Sequence, residues 1–349
     1  MRAAVIEQYN IPMQVANVDD PACPDDGAIV AVRACGVCRS DWHGWKGADP
    51  DINLPHVPGH EFAGEVVAVG KECQNIALGQ RVTAPFILAC GSCSDCVGGE
   101  ATICANQQVV GFTGWGAFAE YVAIEAADFN LVPLPEAVGF AEAAGMGCRF
   151  TTAFRALTDR AQLRPGEKLA VHGCGGIGLS AIVIGAALGA EIFAVDVNPD
   201  ALALAQKMGA HHLIKTSAGH DAGERVRDAS GGGVHVSLDG LGITDTYLNS
   251  LNSLRKLGRH VQIGMPLGPH ANPVLPLLDL VYSRQISLFG TRGMGADRFA
   301  GLFQLISEKG IDLNRLLSRE ITLSQAGAAI AAMDGYDGVG ISVITKFQD

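Results

Sequence analysis

Lys168-Leu-Ala-Val-His-Gly173-Cys-Gly-Gly-Ile-Gly178-Leu-Ser-Ala-Ile-Val-Ile-Gly-Ala-Ala-Leu188 decides half of the fold. The first five residues read as a buried strand, Gly173 to Gly178 as a turn, and Leu179 to Leu188 as a helix. The Glu191-Ile-Phe-Ala-Val195 run that follows reads as a second strand, closed by Asp196. A G-x-G-x-x-G pattern alone is a weak signal. Between a strand and a helix, with an acid about twenty residues on, it predicts a dinucleotide-binding βαβ unit. Gly173, Gly175, Gly176, Ile177 and Gly178 then bring backbone N–H groups up to a pyrophosphate at the helix N-terminus. Asp196 accepts from the adenosine ribose hydroxyls, and no Lys or Arg follows through Ala201 to welcome a 2′-phosphate, so NAD is expected rather than NADP. The competing reading is a Gly-rich turn that only packs helix on sheet.

Leu169 to Ala190 contains no Asp, Glu, Lys or Arg, and at about 20 residues it is long enough to cross a bilayer. A strand-turn-helix explains its glycine spacing and a spanning helix does not. Downstream, Ala201–Met208, Thr246–Leu254, Asp297–Glu308 and Ser324–Met333 read as helices. Val234–Leu238, Arg259–Ile263, Gln285–Phe289 and Gly340–Lys346 read as strands. His211, His212, His220, His235, His260 and His270 are scattered through this half without a ligand spacing.

Upstream the texture differs. Residues 1 to about 150 consist of short apolar runs broken by Gly, Pro and Asp, so this half is expected to be mostly β. Ala3–Ile6, Ala28–Ala34 and Glu65–Val69 read as strands, and Gly111–Asp128 as two more. Pro133 opens a helical stretch to about Gly145, and Gly147 begins the next helix.

Four segments here carry metal-binding chemistry. Cys90-Gly-Ser-Cys93-Ser-Asp-Cys96 with Cys104 gives C-x2-C-x2-C-x7-C. Four thiolates complete a tetrahedral shell for a structural zinc, and an iron–sulfur cluster is the competing reading. Pro58-Gly59-His60-Glu61 offers an imidazole with a carboxylate beside it. Ala34-Cys-Gly-Val-Cys38-Arg-Ser40-Asp41-Trp-His43 packs thiol, hydroxyl, carboxylate and imidazole behind a strand. Cys35 and Cys38 are either a C-x2-C pair or one packing thiol and one reactive thiol. Cys148 stands near a helix start, where the local dipole favours a thiolate.

The length of 349 residues suggests two domains. The net charge of −11 argues against nucleic acid or an anionic membrane as partner. The ten cysteines, with no apolar signal core at the N-terminus, are expected to be thiols or metal ligands of a cytoplasmic protein.

Cys38, Ser40, His43, Gly59-His60-Glu61, the four-Cys lobe, Cys148 and the Gly173–Gly178 turn occur in one order. That order resembles the zinc-dependent alcohol dehydrogenases of the medium-chain dehydrogenase/reductase family, over essentially the whole chain. The resemblance implies an α/β chain with two domains. One is a GroES-like, mostly-β catalytic domain at 1–150 and 291–349, and the other a Rossmann doubly wound parallel sheet at 151–290. It implies two zinc ions per chain: a catalytic one on Cys38, His60 and Cys148 with Glu61 as exchangeable fourth ligand, and a structural one on Cys90, Cys93, Cys96 and Cys104. Asp41 would orient the His60 ring. Cys35 and Cys174 would be packing residues, and Thr152 and Ile263 would join the cofactor contacts. Reversible hydride transfer between an alcohol, or its aldehyde or ketone, and NAD follows, with a proton relay from Ser40 through the nicotinamide ribose to His43. Phe86, Trp42 and Trp115 are candidates for the pocket wall. The alternatives are a polyol, sugar-alcohol or threonine dehydrogenase, and a zinc- and nucleotide-binding module without catalysis. A homo-oligomer is expected, tetramer first and dimer second.

Overall fold

The computed structural model describes residues 1–217, 221–335 and 340–348; His220 lies outside them. The chain divides into two compact units. One comprises Met1–Thr151, Gly293–Gln304 and Asp312–Asp349, the other Thr152–Arg292 and Leu305–Ile311.

The first unit is built on a seven-stranded sheet whose axis is the antiparallel pair Ala28–Val37 and Glu61–Val69. Ala28–Val37 is buried at nine of its ten positions, as a strand covered on both faces must be. Its register sets Cys35 opposite Phe62 and Gly36 opposite Glu61. That register brings Cys38, just past the end of one strand, to the same sheet end as His60, just before the start of the other. Ile341–Lys346 pairs with the other edge of Ala28–Val37, and Leu317–Thr322 pairs with it in turn. Phe62, Phe118 and Ile124 fill the core beneath.

The second unit is a six-stranded parallel sheet in the order His212–Lys215, Glu191–Asp196, Lys168–His172, Val234–Asp239, Leu254–Gln262, Ser287–Gly290. This is the doubly wound arrangement, whose strand order reverses beside Lys168–His172. The helix after that strand is Gly176–Ala187. It begins three residues earlier than the apolar run suggests, so Gly176, Ile177 and Gly178 form its first turn. Gly178 is forced by packing: a Cβ there would lie 1.9 Å from the Gly173 carbonyl oxygen.

Several sequence expectations need correction. The segment from Pro133 does not open a helix. Val132–Pro133 pairs with Arg81–Thr83 as a strand, and the helix runs from Phe140 to Arg155. Pro133 and Pro135 hold the backbone extended, and the start comes where Glu142 Oε2 accepts the Gly139 N–H at 2.6 Å. Gly147, expected to begin a separate helix, instead breaks this one with non-helical angles. Gly111–Asp128 yields only the strand Tyr121–Ile124. The Gly111–Ala117 stretch is instead folded onto Val57–Gly59, with Gly116 N–H on Val57 O at 2.7 Å and Ala117 N–H on Gly59 O at 2.8 Å. The strands His212–Lys215 and Leu317–Thr322 give no apolar alternation to read, and the helix Ala222–Ala229 buries only Ala222, Gly223 and Val226, too little apolar side chain for a signal.

Inside the second unit a polar chain replaces part of the apolar core. His260 is 1% exposed. Its Nδ1 lies 3.0 Å from Ser250 Oγ and 3.2 Å from Ser237 Oγ, and its Nε2 3.2 Å from Gln262 Oε1. Two hydroxyl donors and one amide acceptor satisfy a neutral ring protonated at Nε2. Burial pulls its pKa down to about 4, and that of the equally buried His172 to about 3. In the unfolded chain both titrate near the ordinary value of about 6.5. Between about pH 6.5 and 4 the unfolded state therefore holds more protons, and stability falls as pH is lowered through that window. Urea unfolding midpoints against pH should show this loss, and His260→Gln should remove a share of it on the order of 3 kcal/mol.

Candidate active site

Three segments far apart in sequence converge in the first unit. Cys38 caps the short helix Arg39–Trp45, His60 and Glu61 open the strand Glu61–Val69, and Cys148 follows the break at Gly147. A sulfur of Cys38, a ring nitrogen of His60, a carboxylate oxygen of Glu61 and a sulfur of Cys148 all lie within 4.8 Å of one another. His60 is 1% and Glu61 0% exposed.

Asp41 organises one side of this cluster. Its Oδ1 takes His60 Nδ1 at 2.8 Å and the Gly59 N–H at 3.2 Å, while Oδ2 takes the Cys38 N–H at 2.9 Å. The ring is thereby held with Nδ1 protonated and Nε2 turned to the sulfurs, the arrangement of a metal-binding histidine. Nε2 is buried and makes no hydrogen bond. A buried ring nitrogen left so is costly, and a cation among two thiolates would satisfy it. The donor set Cys, His, Cys is that of a catalytic zinc with an open position, so these residues fit the ion.

The other side is organised by a residue that the sequence reading missed. Arg149 Nε lies 3.1 Å from Glu61 Oε1, and its Nη2 bonds Oε2. Oε1 also accepts the N–H of Cys148 at 3.0 Å and of Arg149 at 3.3 Å. Both carboxylate oxygens are thus engaged by Arg149 and the backbone. Glycines make room: a Cβ on Gly147 would lie 2.4 Å from Glu61 Cβ, and one on Gly36 2.4 Å from Glu61 Oε2. The available signal was a lone Arg next to Cys148 in an apolar stretch, where only a buried acid could hold it.

The electrostatics follow from this geometry. Burial pushes the Glu61 carboxyl up to about 7, against the opposing pull of Arg149; the fork and two amide donors mark the carboxylate as the form this pocket holds. Cys38 and Cys148 share a hydrogen bond that lowers the Cys38 thiol and raises that of Cys148. Burial pulls His60 down, but Asp41 and Cys38 outweigh it and raise its pKa. Ser40 Oγ lies 3.8 Å from Cys38 Sγ. His43, one turn on in the same helix, has its pKa lowered by burial and by Arg39, which keeps the ring neutral. Phe86 and Phe112 present their rings to His60 at centroid distances of 5.8 and 5.3 Å, and Ile52 packs with them. Phe86 is among the expected wall residues, while Phe112 and Ile52 are additions. Trp42 instead carries the Arg39 guanidinium on its face and donates to Asp334, and Trp115 is 43% exposed.

The four-Cys lobe forms a second cluster. Cys93 Sγ lies 3.4 Å from Cys96 Sγ and 3.7 Å from Cys104 Sγ; Cys90 Sγ lies 3.5 Å from Cys104 Sγ and 4.0 Å from Cys96 Sγ. A tetrahedron with a metal–sulfur distance of about 2.3 Å has edges of about 3.8 Å, so the sulfurs fit one zinc and leave no room for an iron–sulfur core. Backbone N–H groups of Cys90 and Asn106 point at Cys104 Sγ. Hydrogen bonds from the backbone and hydroxyl of Ser92 bring Cys90 down to about 5. Cys35 is fully buried in the core of the first unit, a packing thiol.

In the second unit the helix Gly176–Ala187 has Gly175 at its N-cap, no side-chain cap and no acid in its first turn. A Cβ on Gly175 would meet nothing within 4 Å. Open amides at a helix start and space above them fit a pyrophosphate. Asp196 Oδ2 accepts the Cys174 N–H at 2.6 Å and Oδ1 the Asn198 N–H at 2.8 Å. It ties the glycine turn to the end of its own strand and keeps lone pairs for a ribose. Thr152 is buried at the start of this unit, and Ile263 follows Leu254–Gln262 with its N–H on Asp239 O at 3.1 Å.

Residues 24–136 match the family model of the alcohol dehydrogenase GroES-like domain, and residues 176–308 that of the zinc-binding dehydrogenases. An alcohol dehydrogenase of Geobacillus stearothermophilus is 35% identical over 283 residues, covering 80% of this chain and 82% of that protein. The chain belongs to the zinc-dependent alcohol dehydrogenases. A second relative, the alcohol dehydrogenase of Rhizobium meliloti (strain 1021), is 35% identical over 298 residues, covering 84% of this dehydrogenase and 85% of its own chain. A solved NAD-dependent alcohol dehydrogenase superposes with a TM-score of 0.88 at 27% identity, covering 99% of this chain and 100% of that one. This dehydrogenase is therefore a GroES-like unit plus a Rossmann unit of the zinc-binding dehydrogenase family.

Removing Arg149 would strand the Glu61 charge in the interior. Arg149→Met should cost about 3–5 kcal/mol of stability, measured by urea unfolding. Adding Glu61→Gln should recover a large part of the loss, a coupling that a double-mutant cycle reads directly.

Proposed function

We propose that Cys38, His60 and Cys148 hold the catalytic zinc and that Cys90, Cys93, Cys96 and Cys104 hold a structural one, two ions per chain. The observation that carries this is the orphaned His60 Nε2 facing two thiols inside a closed, buried cluster. Glu61, held by Arg149, is the neighbour that can exchange onto the ion only by leaving that fork. Bound there, zinc would supply polarisation of an alcohol or carbonyl oxygen, and NAD would supply the hydride acceptor or donor.

The chain's own residues do the rest. Asp41 fixes the His60 tautomer. Ser40 Oγ, beside Cys38, would accept the proton of the substrate hydroxyl while releasing its own toward neutral His43, which would pass a proton on to solvent. Phe86, Phe112 and Ile52 keep water from the reacting oxygen. Gly173, Gly175, Gly176, Ile177 and Gly178 receive the pyrophosphate and Asp196 the ribose, with Thr152 and Ile263 completing the cofactor contacts. The absence of a cation after Asp196 through Ala201 favours NAD over NADP.

The apolar surroundings of the cluster favour a simple aliphatic or aromatic alcohol over a polyol, sugar alcohol or threonine, whose extra hydroxyl or charged groups would go unpaired there. The protein is read as a cytoplasmic homo-oligomer, tetramer before dimer. Among the described residues no helix is long and apolar enough to cross a membrane.

Metal analysis should find two zinc per chain, and one after Cys148→Ser. Ser40→Ala should lower kcat by about 10²–10⁴-fold with zinc content unchanged. Near-normal turnover in that variant would remove Ser40 from the proton path. NADH absorbance over an alcohol and polyol panel, run with NAD and NADP, tests the substrate and cofactor preferences.

A further inference from the structure

Of the ten cysteines, six stand in the two donor clusters. Cys35 and Cys174 are buried at 0% and 1% exposure. The remaining two, Cys23 and Cys73, are fifty positions apart in sequence yet meet at one atom. Cys73 Sγ lies 3.2 Å and Cys23 Sγ 3.9 Å from the carbonyl oxygen of Gly27. Cys23 is exposed and Cys73 half-buried.

The backbone around them is already docked. Gly70 N–H bonds the same Gly27 oxygen at 2.8 Å, and Glu72 N–H bonds Asp25 O at 2.9 Å. A Cβ on Gly70 would lie 2.2 Å from Pro24 O and 2.3 Å from Asp25 O. The Cys23–Gly27 loop and the Gly70–Cys73 turn therefore lie backbone against backbone, with both thiols directed at the one Gly27 carbonyl oxygen. Closing a disulfide between the two costs little further chain entropy in the folded state while constraining a long loop of the unfolded chain.

We propose that Cys23 and Cys73 are a dithiol couple that closes to a disulfide when offered a low-molecular-weight disulfide. The exposed Cys23 thiolate attacks that disulfide and expels one small thiol, leaving a mixed disulfide. Cys73 then attacks Cys23 Sγ and expels the second small thiol. Two protein thiols are oxidised, one small disulfide is reduced to two thiols, and the two protein protons leave on those thiols. The link ties the loop before the strand Ala28–Val37 to the turn after Glu61–Val69. It consumes no donor of either metal cluster.

The sequence makes the test direct. Trypsin releases Cys23 in Ala3–Arg33 and Cys73 in Glu72–Arg81, each peptide with a single cysteine. The zinc-loaded, full-length protein is incubated with glutathione disulfide, alkylated, digested and mapped by mass spectrometry. The expected result is a cross-linked pair of these two peptides, two fewer free thiols than the reduced chain, unchanged zinc content and a melting temperature that rises and is reversed by a dithiol reductant. Cys73→Ser should trap a glutathione adduct on Cys23. A wild-type adduct that persists on Cys23, thiols that stay unmodified, or zinc release without the cross-link would each overturn the proposal.

Discussion

A carboxylate buried at the head of a strand is the constraint on which the first unit turns. Glu61 has no solvent, so its charge must be met inside. Arg149 meets it, and because Arg149 directly follows Cys148, the same ion pair fixes the third donor segment against the first two. The two glycines that flank Glu61 are consequences of this packing, since a methyl at either would strike its side chain. Asp41 does the matching work from the opposite side, binding His60, Gly59 and Cys38 through one carboxylate. Two buried acids, one paired with a guanidinium and one with an imidazole, hold a cluster whose donors come from separate stretches of chain.

The second unit solves a simpler problem. In our proposal its turn brings amides to a pyrophosphate while still letting the helix sit on the sheet. Gly178 serves packing and Gly175 serves access, a division that follows from what a Cβ would meet at each. Asp196 is part of the same piece of architecture, because its hydrogen bond to Cys174 N–H sets the turn. The glycine turn and its acid are thus local in sequence, whereas the Cys38, His60, Glu61 and Cys148 cluster is not.

That difference explains which parts were legible. Lys168–His172, the glycine turn and Glu191–Asp196 read from spacing because the geometry lies within about thirty residues. The C-x2-C-x2-C-x7-C lobe read for the same reason, and its sulfur distances fit one ion. The helix expected from Pro133 failed because two prolines keep the chain extended to Pro135, and a turn closed by the Val138 N–H on Pro135 O comes before Phe140. The strands expected across Gly111–Asp128 were reduced to one because the segment spends its hydrogen bonds on Val57–Gly59. His212–Lys215 and Leu317–Thr322 are strands by virtue of their neighbours, since neither alternates apolar with polar residues.

Sequence by itself determined the two textures, the glycine turn between strand and helix, and the spacing of the four-thiol lobe. It left Cys35 and Cys38 undivided until a resemblance separated them. Only the tertiary structure decided that Cys35 faces the core, that Arg149 neutralises Glu61, and that Phe112 and Ile52 close around His60. It also decided that Cys23 and Cys73 share one carbonyl. The physical reason is the same in each case: strand register and burial fix which side chains meet, and neither is written in the spacing of residues along the chain.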